Sequence, residues 1–268
     1  NPADFDDQSN VATSTHAQGM VALTPAQQAD IIGFETSLFT AQVVDNNAQD
    51  LTAKHALGGP DHLAHVAFSY GANDNLGDYQ TGAPFTPVIF TEYAAWNNAP
   101  GGGTEAARAS IARGEALFNS FPITISDVPG LTTASPFVPP LPTTLTGTCG
   151  TCHDTPGGGN HSIVAPLNIG LTDASRRTAD MPLYTLRNLS TGATIQTTDP
   201  GRALITGKWA DIGKFKGPIL RGLAARAPYF HNGFAADLDA VVDFYNDRFT
   251  MDLSQQQHDD LVAFLGAL

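Results

Sequence analysis

The chain has 268 residues, with 26 acidic and 13 basic side chains and a formal net charge of −13. This acidic balance, without a basic run, argues against a nucleic-acid-binding protein. No apolar run approaches the roughly 18 residues that a membrane-spanning helix needs, so no transmembrane segment is predicted. The length suits one large domain or two small ones.

The first clear element of the sequence is a helix that begins near residue 25. Residues 1–22 are polar and are predicted to be irregular. The run Thr24-Pro25-Ala26-Gln27 then combines an N-cap threonine, a proline at the first helical position and a glutamine at the third. An apolar face at helical spacing extends this helix to about Thr40 and consists of Ile31, Phe34, Leu38 and Phe39.

Gly- and Pro-rich segments separate this helix from the next one. Residues 41–102 are predicted to form long loops with short helices, and Pro100-Gly101-Gly102-Gly103 is the clearest boundary. Thr104 is predicted to cap the second helix. Residues 121–148 read as a loop rich in Pro and Thr.

The loop leads to Cys149-Gly150-Thr151-Cys152-His153, which contains the only two cysteines of the chain. A C-x-x-C-H run is typical of covalent haem attachment, in which two thiols bond to the porphyrin and the adjacent imidazole binds the iron. A thioredoxin-like pair would need a strand–CxxC–helix context, and a zinc site would need two further ligands. We therefore expect one haem c on Cys149 and Cys152, with His153 as the proximal ligand.

The sequence after this motif is mostly loop until two final helices. Residues 154–234 form a loop unusually long for a compact domain, as expected if it wraps around a cofactor. Asp237 is predicted to cap a helix with Leu238, Val241, Val242 and Tyr245 on one face. Ser254 and Gln257 form a capping box for the last helix. The chain is thus predicted to be mainly α with few strands.

The sixth iron ligand would decide what a haem does here. The thioether candidates are Met20, Met181 and Met251. Met181 lies in a loop after the motif, as axial methionines of small cytochromes do, but it can equally be a packing residue. The pattern alone favours Tyr245 as a core tyrosine.

Other polar residues are candidates for contacts with the haem propionates or with metals. His231, Lys216 and Arg221 are the main propionate candidates, and Arg202, Lys208 and Arg226 compete for that role. His231 is as readily a buried structural histidine. Three histidines cluster near Asp61, namely His55, His62 and His65. Surface roles are favoured over metal binding for these histidines.

The stretches Lys214–Leu223 and Ala227–Gly233, with Asp239–Tyr245, closely resemble the C-terminal haem domain of the bacterial di-haem cytochrome c peroxidase family, which includes MauG-like enzymes. The run Arg113–Phe118 is similar to the first helix of bacterial cytochromes c. The resemblance is strong from about residue 104 to 268. A weaker one relates the helix at 23–40 to the last helix of that family's N-terminal domain.

This resemblance implies a mainly α protein: a cytochrome c-like haem domain with long irregular loops at 103–268, preceded by a partial second helical domain at 1–102. It implies that the distal ligand follows the Pro-Tyr-Phe-His-x-Gly turn, a position that Tyr245 occupies here. It also implies a calcium ion between the domains, although no local loop identifies its ligands. The chain departs from the family because it has no second CxxCH.

These observations predict a periplasmic or otherwise exported c-type cytochrome that acts in electron transfer or haem-dependent oxidation. The chain opens without Met and reads as processed, and haem c is attached outside the cytoplasm. Peroxidase activity is expected only in combination with a second haem domain. The expected partner is a redox protein or the missing N-terminal haem domain or chain. The alternatives are a stand-alone haem peroxidase with an open distal site and a haem-bearing subunit of a larger redox complex.

Overall fold

A computed structural model of the chain describes residues 2–38, 40–132 and 142–268. It divides into two compact units, residues 1–40 and residues 41–268. The prediction of a mainly helical chain with long irregular loops is confirmed. The α-helices are α1 (Pro2–Val11), α2 (Pro25–Ser37), α3 (Pro60–Leu63), α4 (Thr104–Ser120), α5 (Ala203–Thr206), α6 (Leu238–Phe249) and α7 (Gln255–Gly266).

The first unit contains α1 and α2. Residues 2–16 are helical, since α1 continues into a π-helical turn at Ala12–His16, so the prediction of an irregular segment there was wrong. This polar helix lacks the apolar period by which helices are recognised. The predicted start of α2 is confirmed: Thr24 and Gln27 form a capping box, with Pro25 in the first turn. Phe39 lies outside the described residues.

The core of the second unit is built on α4, which packs along α7, and α6 also packs against α7. Its main apolar cluster contains Phe118 of α4, Phe264 of α7, and Phe90, Tyr93 and Trp96 from the preceding loop region. Residues 41–102 therefore contribute to the core of the second unit. The sequence analysis placed the boundary between two family domains after residue 102, and that boundary stays a prediction.

Helix ends in this unit follow local sequence signals. Asp237 caps α6 by accepting a hydrogen bond from the Ala240 amide at 2.9 Å, and Ser254 and Gln257 form the capping box of α7. Both predictions are confirmed. The prediction for α4 was off by one residue, because Gly103 is the N-cap and Thr104 is the first helical residue.

Strands among the described residues form three small antiparallel pairs. They are β1 (Val44–Asp45) with β2 (Gln49–Asp50), β3 (Ile123–Ser126) with β4 (Thr144–Gly147), and β5 (Tyr184–Arg187) with β6 (Thr194–Thr197). The β3–β4 pair corrects the loop predicted over 121–148, of which residues 133–141 lie outside the description. Ile123 and Ile125 face a buried layer, while Thr124 between them is exposed, as expected for a half-buried strand.

A second, smaller apolar cluster lies around β3. Its buried members are Ile123, Ile125, Val128, Leu131 and Leu167. Cys149 and Cys152 pack against this cluster, and Cys149 also packs against the main cluster. The two thiols therefore lie where the apolar clusters meet.

No α-helix in the described parts of the chain has the length and apolar character needed to cross a bilayer.

Candidate haem site

The cysteine motif follows directly from strand β4. One turn of 3₁₀ helix covers Cys149–Thr151, and the Thr148 amide donates to Thr151 Oγ1 at 3.0 Å. The amides of Cys152 and His153 both donate to the Cys149 carbonyl, at 3.2 and 3.1 Å. This tight turn fixes the two thiols and the imidazole relative to one another.

Both cysteines are free thiols and half-buried. Burial raises the pKa of the Cys149 thiol to about 12. Burial also raises the pKa of the Cys152 thiol to about 12, with a further contribution from the charge of Asp154. They are therefore protonated thiols at neutral pH, without the electropositive surroundings of a redox-active cysteine pair.

The His153 imidazole is oriented by the loop that follows it. Its Nδ1 lies 2.5 Å from the Gly159 carbonyl oxygen, which can only accept a hydrogen bond, so Nδ1 carries the proton. Burial lowers the pKa of His153, which favours the neutral ring. Its Nε2 lone pair is consequently available to a metal, the arrangement expected of an iron-binding histidine with a backbone acceptor behind it.

Tyr245 of α6 lies in the same region as the thiols. Burial raises its pKa strongly, and negative charge on Cys152 and Cys149 would raise it further. Its ring lies 6.0 Å from that of Phe230, 5.3 Å from Phe244 and 6.4 Å from Phe249. The Tyr245 hydroxyl has no hydrogen-bond partner within residues 2–38, 40–132 and 142–268.

Arg221 is fully buried next to the loop that follows His153. Its Nε donates to the Gly157 carbonyl at 2.6 Å, and its Nη2 pairs with Glu92. Its Nη1 is buried without a hydrogen-bond partner among the described residues. An unsatisfied guanidinium nitrogen is expected beside an anion such as a carboxylate.

Among the described residues, no hydrogen bond or ion pair joins the other predicted residues to the cysteine turn. His231 is exposed, pairs with Asp199, and its ring centroid lies 4.9 Å from that of Phe215. Lys216 is exposed. Met181 is half-buried in a turn, where its amide donates to the Thr178 carbonyl at 3.3 Å. Their roles toward a haem stay predictions.

The structure brings to the site one residue that the sequence analysis named only among the thioether candidates, Met251, and one that it did not link to the haem, Phe118. Met251, just after α6, packs on the smaller cluster together with Cys149 and Cys152. Phe118 of α4 lies with its ring centroid 6.3 Å from that of His153. Met251 lies two residues beyond the end of α6, the helix that contains Tyr245.

The residues present fit a covalently attached haem. Two free thiols lie one turn apart, an imidazole has an available Nε2, and a tyrosine hydroxyl is unpartnered among the described residues. The unpartnered Arg221 Nη1 supplies a donor for an acidic group. Cysteine thioethers with an axial histidine are the donor set of c-type haem.

Comparison with known proteins found similarity to bacterial peroxidases over part of the chain. The cytochrome-c peroxidase IdrP2 of Denitromonas iodatirespirans is 36% identical over 136 residues, covering 46% of this chain and 36% of that protein. IdrP1 of the same organism is 45% identical over 69 residues, covering 22% of this chain and 18% of that protein. IdrP1 of Pseudomonas sp. (strain SCT) is 35% identical over 99 residues, covering 32% and 24%.

No family model and no solved structure matches the chain. The similarity spans about a third or less of the length of these curated relatives. The free thiols, the oriented imidazole and the relatives' names agree on the same cofactor. Together they support a haem c protein related to the cytochrome c peroxidases.

Proposed function

We propose that this chain is an exported c-type haem protein of the di-haem peroxidase/MauG-like type, acting in electron transfer or haem-dependent oxidation. One haem is bonded to Cys149 and Cys152, with His153 as proximal and Tyr245 as distal iron ligand. The observation that carries the proposal is that both cysteines pack on the smaller apolar cluster together with Phe249 at the end of α6, the helix that bears Tyr245.

Haem bound there supplies an iron that exchanges single electrons. The residues of the chain set its surroundings. The His153 Nδ1–H group donates a hydrogen bond to the Gly159 carbonyl. This bond fixes the ring and makes the Nε2 lone pair a stronger ligand for the iron. The rings of Phe230, Phe244 and Phe249 lie beside that of Tyr245. Arg221 offers Nη1 to a propionate.

A tyrosine ligand would favour electron transfer or oxidation over simple binding of peroxide. An anionic phenolate stabilises the ferric iron and lowers its potential relative to a methionine ligand. It also fills the sixth position, at which peroxide would otherwise bind. A second haem domain, on a partner chain or on another part of the same protein, would then be the site of any peroxide reaction. The calcium ion between domains belongs to that same assembly.

The alternative is a stand-alone haem peroxidase whose sixth position is open. Apart from its ring contacts, Tyr245 is held by no hydrogen bond among the described residues, so its side chain is not locked toward one atom. Rapid reaction of the purified protein with hydrogen peroxide would favour this alternative. Inertness toward both peroxide and cyanide would favour the ligated site.

The test is an intact mass of the protein made in a host that attaches haem c. The mass should exceed that of the polypeptide by one haem and should keep that excess after acidified acetone extraction. Cys149→Ala and Cys152→Ala together should yield a colourless chain. A colourless wild-type protein, or pigment that acetone removes, would contradict the proposal.

A further inference from the structure

Three ionisable side chains from separate parts of the sequence meet in the interior behind the cysteine motif. They are Asp74, Asp154 and His161, whose exposed fractions are 2%, 0% and 3%. One potential ligand atom from each lies within 4.8 Å of the other two. Asp154 directly follows the iron-binding His153, and His161 ends the loop that orients it.

The contacts of this cluster leave donor atoms free. The Ser162 amide donates to one oxygen of Asp154 at 2.6 Å, and the Leu76 amide donates to one oxygen of Asp74 at 2.9 Å. The second oxygen of Asp154, Oδ2, lies 3.0 Å from His161 Nδ1. Despite this distance, neither atom has a hydrogen-bond partner in the described parts of the chain, because they are not aligned for such a bond.

That separation is compatible with a shared metal ion. Two donor atoms about 2.1 Å from one ion, at the right angle of an octahedral site, lie about 3.0 Å apart and point at the ion rather than at each other. Two nearby hydroxyl oxygens, Thr155 Oγ1 and Ser162 Oγ, are also buried and unpartnered within the described residues. Buried polar atoms without partners are rare in native proteins, and an ion or water accounts for them.

The charge of the cluster also favours a cation. Neither Asp74 nor Asp154 forms an ion pair with Lys or Arg in the part of the chain that the structure describes, and Asp154 Oδ2 faces only the His161 imidazole. Two buried carboxylates without a counter-charge are costly. An imidazole nitrogen with two carboxylate oxygens suits zinc or manganese better than calcium, which takes oxygen ligands.

We propose that Asp74, Asp154 and His161 bind a divalent transition-metal ion of the zinc or manganese class. The ion ties the segment around Asp74 to the loop at 154–161 and thereby supports the Gly159 carbonyl that orients His153. The site is distinct from the haem iron and does not depend on the identity of the distal ligand.

The test measures metal in the haem-loaded protein by mass spectrometry after dialysis with Zn²⁺ or Mn²⁺ and then with buffer. Wild type should retain one non-haem ion per chain. Asp74→Asn and His161→Gln should bind Zn²⁺ at least about 100-fold more weakly. EDTA should lower the thermal midpoint of wild type, and Zn²⁺ should restore it, whereas neither should change that of the variants.

The matched control is the double variant Asp61→Asn with His65→Gln, the same kinds of substitution at an exposed pair on the surface. It should retain the ion. A wild-type protein without a stoichiometric ion, or variants that bind Zn²⁺ as wild type does, would overturn the proposal. Should the variants not fold, zinc K-edge absorption on wild type decides. One imidazole with oxygen neighbours supports the site, and sulfur or several imidazoles reject it.

Discussion

His153 shows how much of the site depends on a single backbone carbonyl. Gly159 supplies the acceptor for Nδ1 and adopts a φ of +63°, which a residue with a Cβ rarely does. A Cβ at this position would also lie 2.8 Å from the Phe90 ring. The glycine therefore permits both the turn of the loop and its close approach to the core.

Replacing Tyr245 with Phe should raise the reduction potential of the haem, because it removes a phenolate that stabilises ferric iron. The expected rise is on the order of 100 mV, within the roughly 0.8 V range that axial ligands cover. Spectroelectrochemical titration measures it, with the exposed Tyr184→Phe as control. An unchanged potential and ferric spectrum would argue against ligation. A change on Met251→Leu instead would identify that thioether as the ligand.

Glu115 of α4 provides a second residue-level effect, on stability. Its Oε2 accepts a hydrogen bond from the Tyr93 amide at 2.8 Å in the core. Burial, helped by the charge of Glu92, raises the pKa of Glu115 to about 7, against 4.5 in an unfolded chain. Since the folded state holds this proton more tightly, the contribution of Glu115 to stability is full below about pH 4.5 and is lost as the pH rises through about 7.

Glu115→Gln should therefore reduce the loss of stability between pH 5 and pH 8, by roughly 2–3 kcal/mol. Urea unfolding of the haem-loaded proteins at the two pH values measures the difference. Asp239→Asn, an exposed acid on α6, should leave the pH dependence as in wild type. Identical pH dependence of wild type and Glu115→Gln would contradict the role of this carboxyl.

At the scale of elements, the contact between α4 and α7 organises the second unit. A Cβ on Gly114 of α4 would lie 2.0 Å from the Asp260 carbonyl oxygen and 2.6 Å from Phe264 Cβ. The helices can approach this closely only without a side chain there. Asp260 also receives two hydrogen bonds from Arg113, both at 2.8 Å, which fix the register of the pair.

Gly114→Ala should separate the two helices and lower the free energy of unfolding by about 1–3 kcal/mol or more, as in other overpacked cores. Gly33→Ala is the matched control, because nothing lies within 4 Å of its Cβ position in α2. There alanine should be neutral or stabilise by about 0.5–1 kcal/mol. Equal effects at both positions, measured by thermal and urea unfolding, would contradict the packing argument.

The sequence predicts the elements whose ends carry their own chemistry. The caps at Thr24, Asp237 and Ser254 satisfy backbone donors locally, so they can be read without the tertiary structure. The helix α1 was missed because it has no apolar stripe. The β3–β4 pair was missed because it forms between residues that a Pro-rich stretch separates, and pairing at a distance leaves little local signal.

At the scale of the whole molecule, the site lies where the two apolar clusters meet. The larger cluster is closed by α4, α6 and α7. The smaller one, around Ile123 and Leu167, also packs against the partly buried cysteines. The packing of the smaller cluster therefore depends more on a haem bound at the thiols than the packing of the larger cluster does.

The double variant Cys149→Ala with Cys152→Ala, which carries no covalent haem, should have a less stable smaller cluster while the larger cluster stays folded. Hydrogen exchange should become faster in β3 and β4 than in the haem-loaded protein, while the amides of α4 and α7 keep most of their protection. Loss of protection in all elements together would show that the two clusters unfold as one unit.

Residue patterns predicted the haem-attachment run of the candidate site most directly, because its residues adjoin in sequence. Cys149, Cys152 and His153 form one run, and Tyr245 followed from a resemblance. Asp74 and Asp154 are eighty residues apart, and nothing local in either segment indicates that they meet. The pairing of Arg221 with Glu92 likewise depends on tertiary packing.

The burial of the two thiols bears on the order of events in the protein's biogenesis. A thiol whose pKa is about 12 has almost no thiolate at neutral pH and is a poor nucleophile toward a vinyl group. A chain that folded first would also pack both cysteines against the smaller apolar cluster. Attachment of the pigment to a still extended polypeptide is therefore favoured, and a maturation apparatus that captures the chain before it collapses would have the advantage.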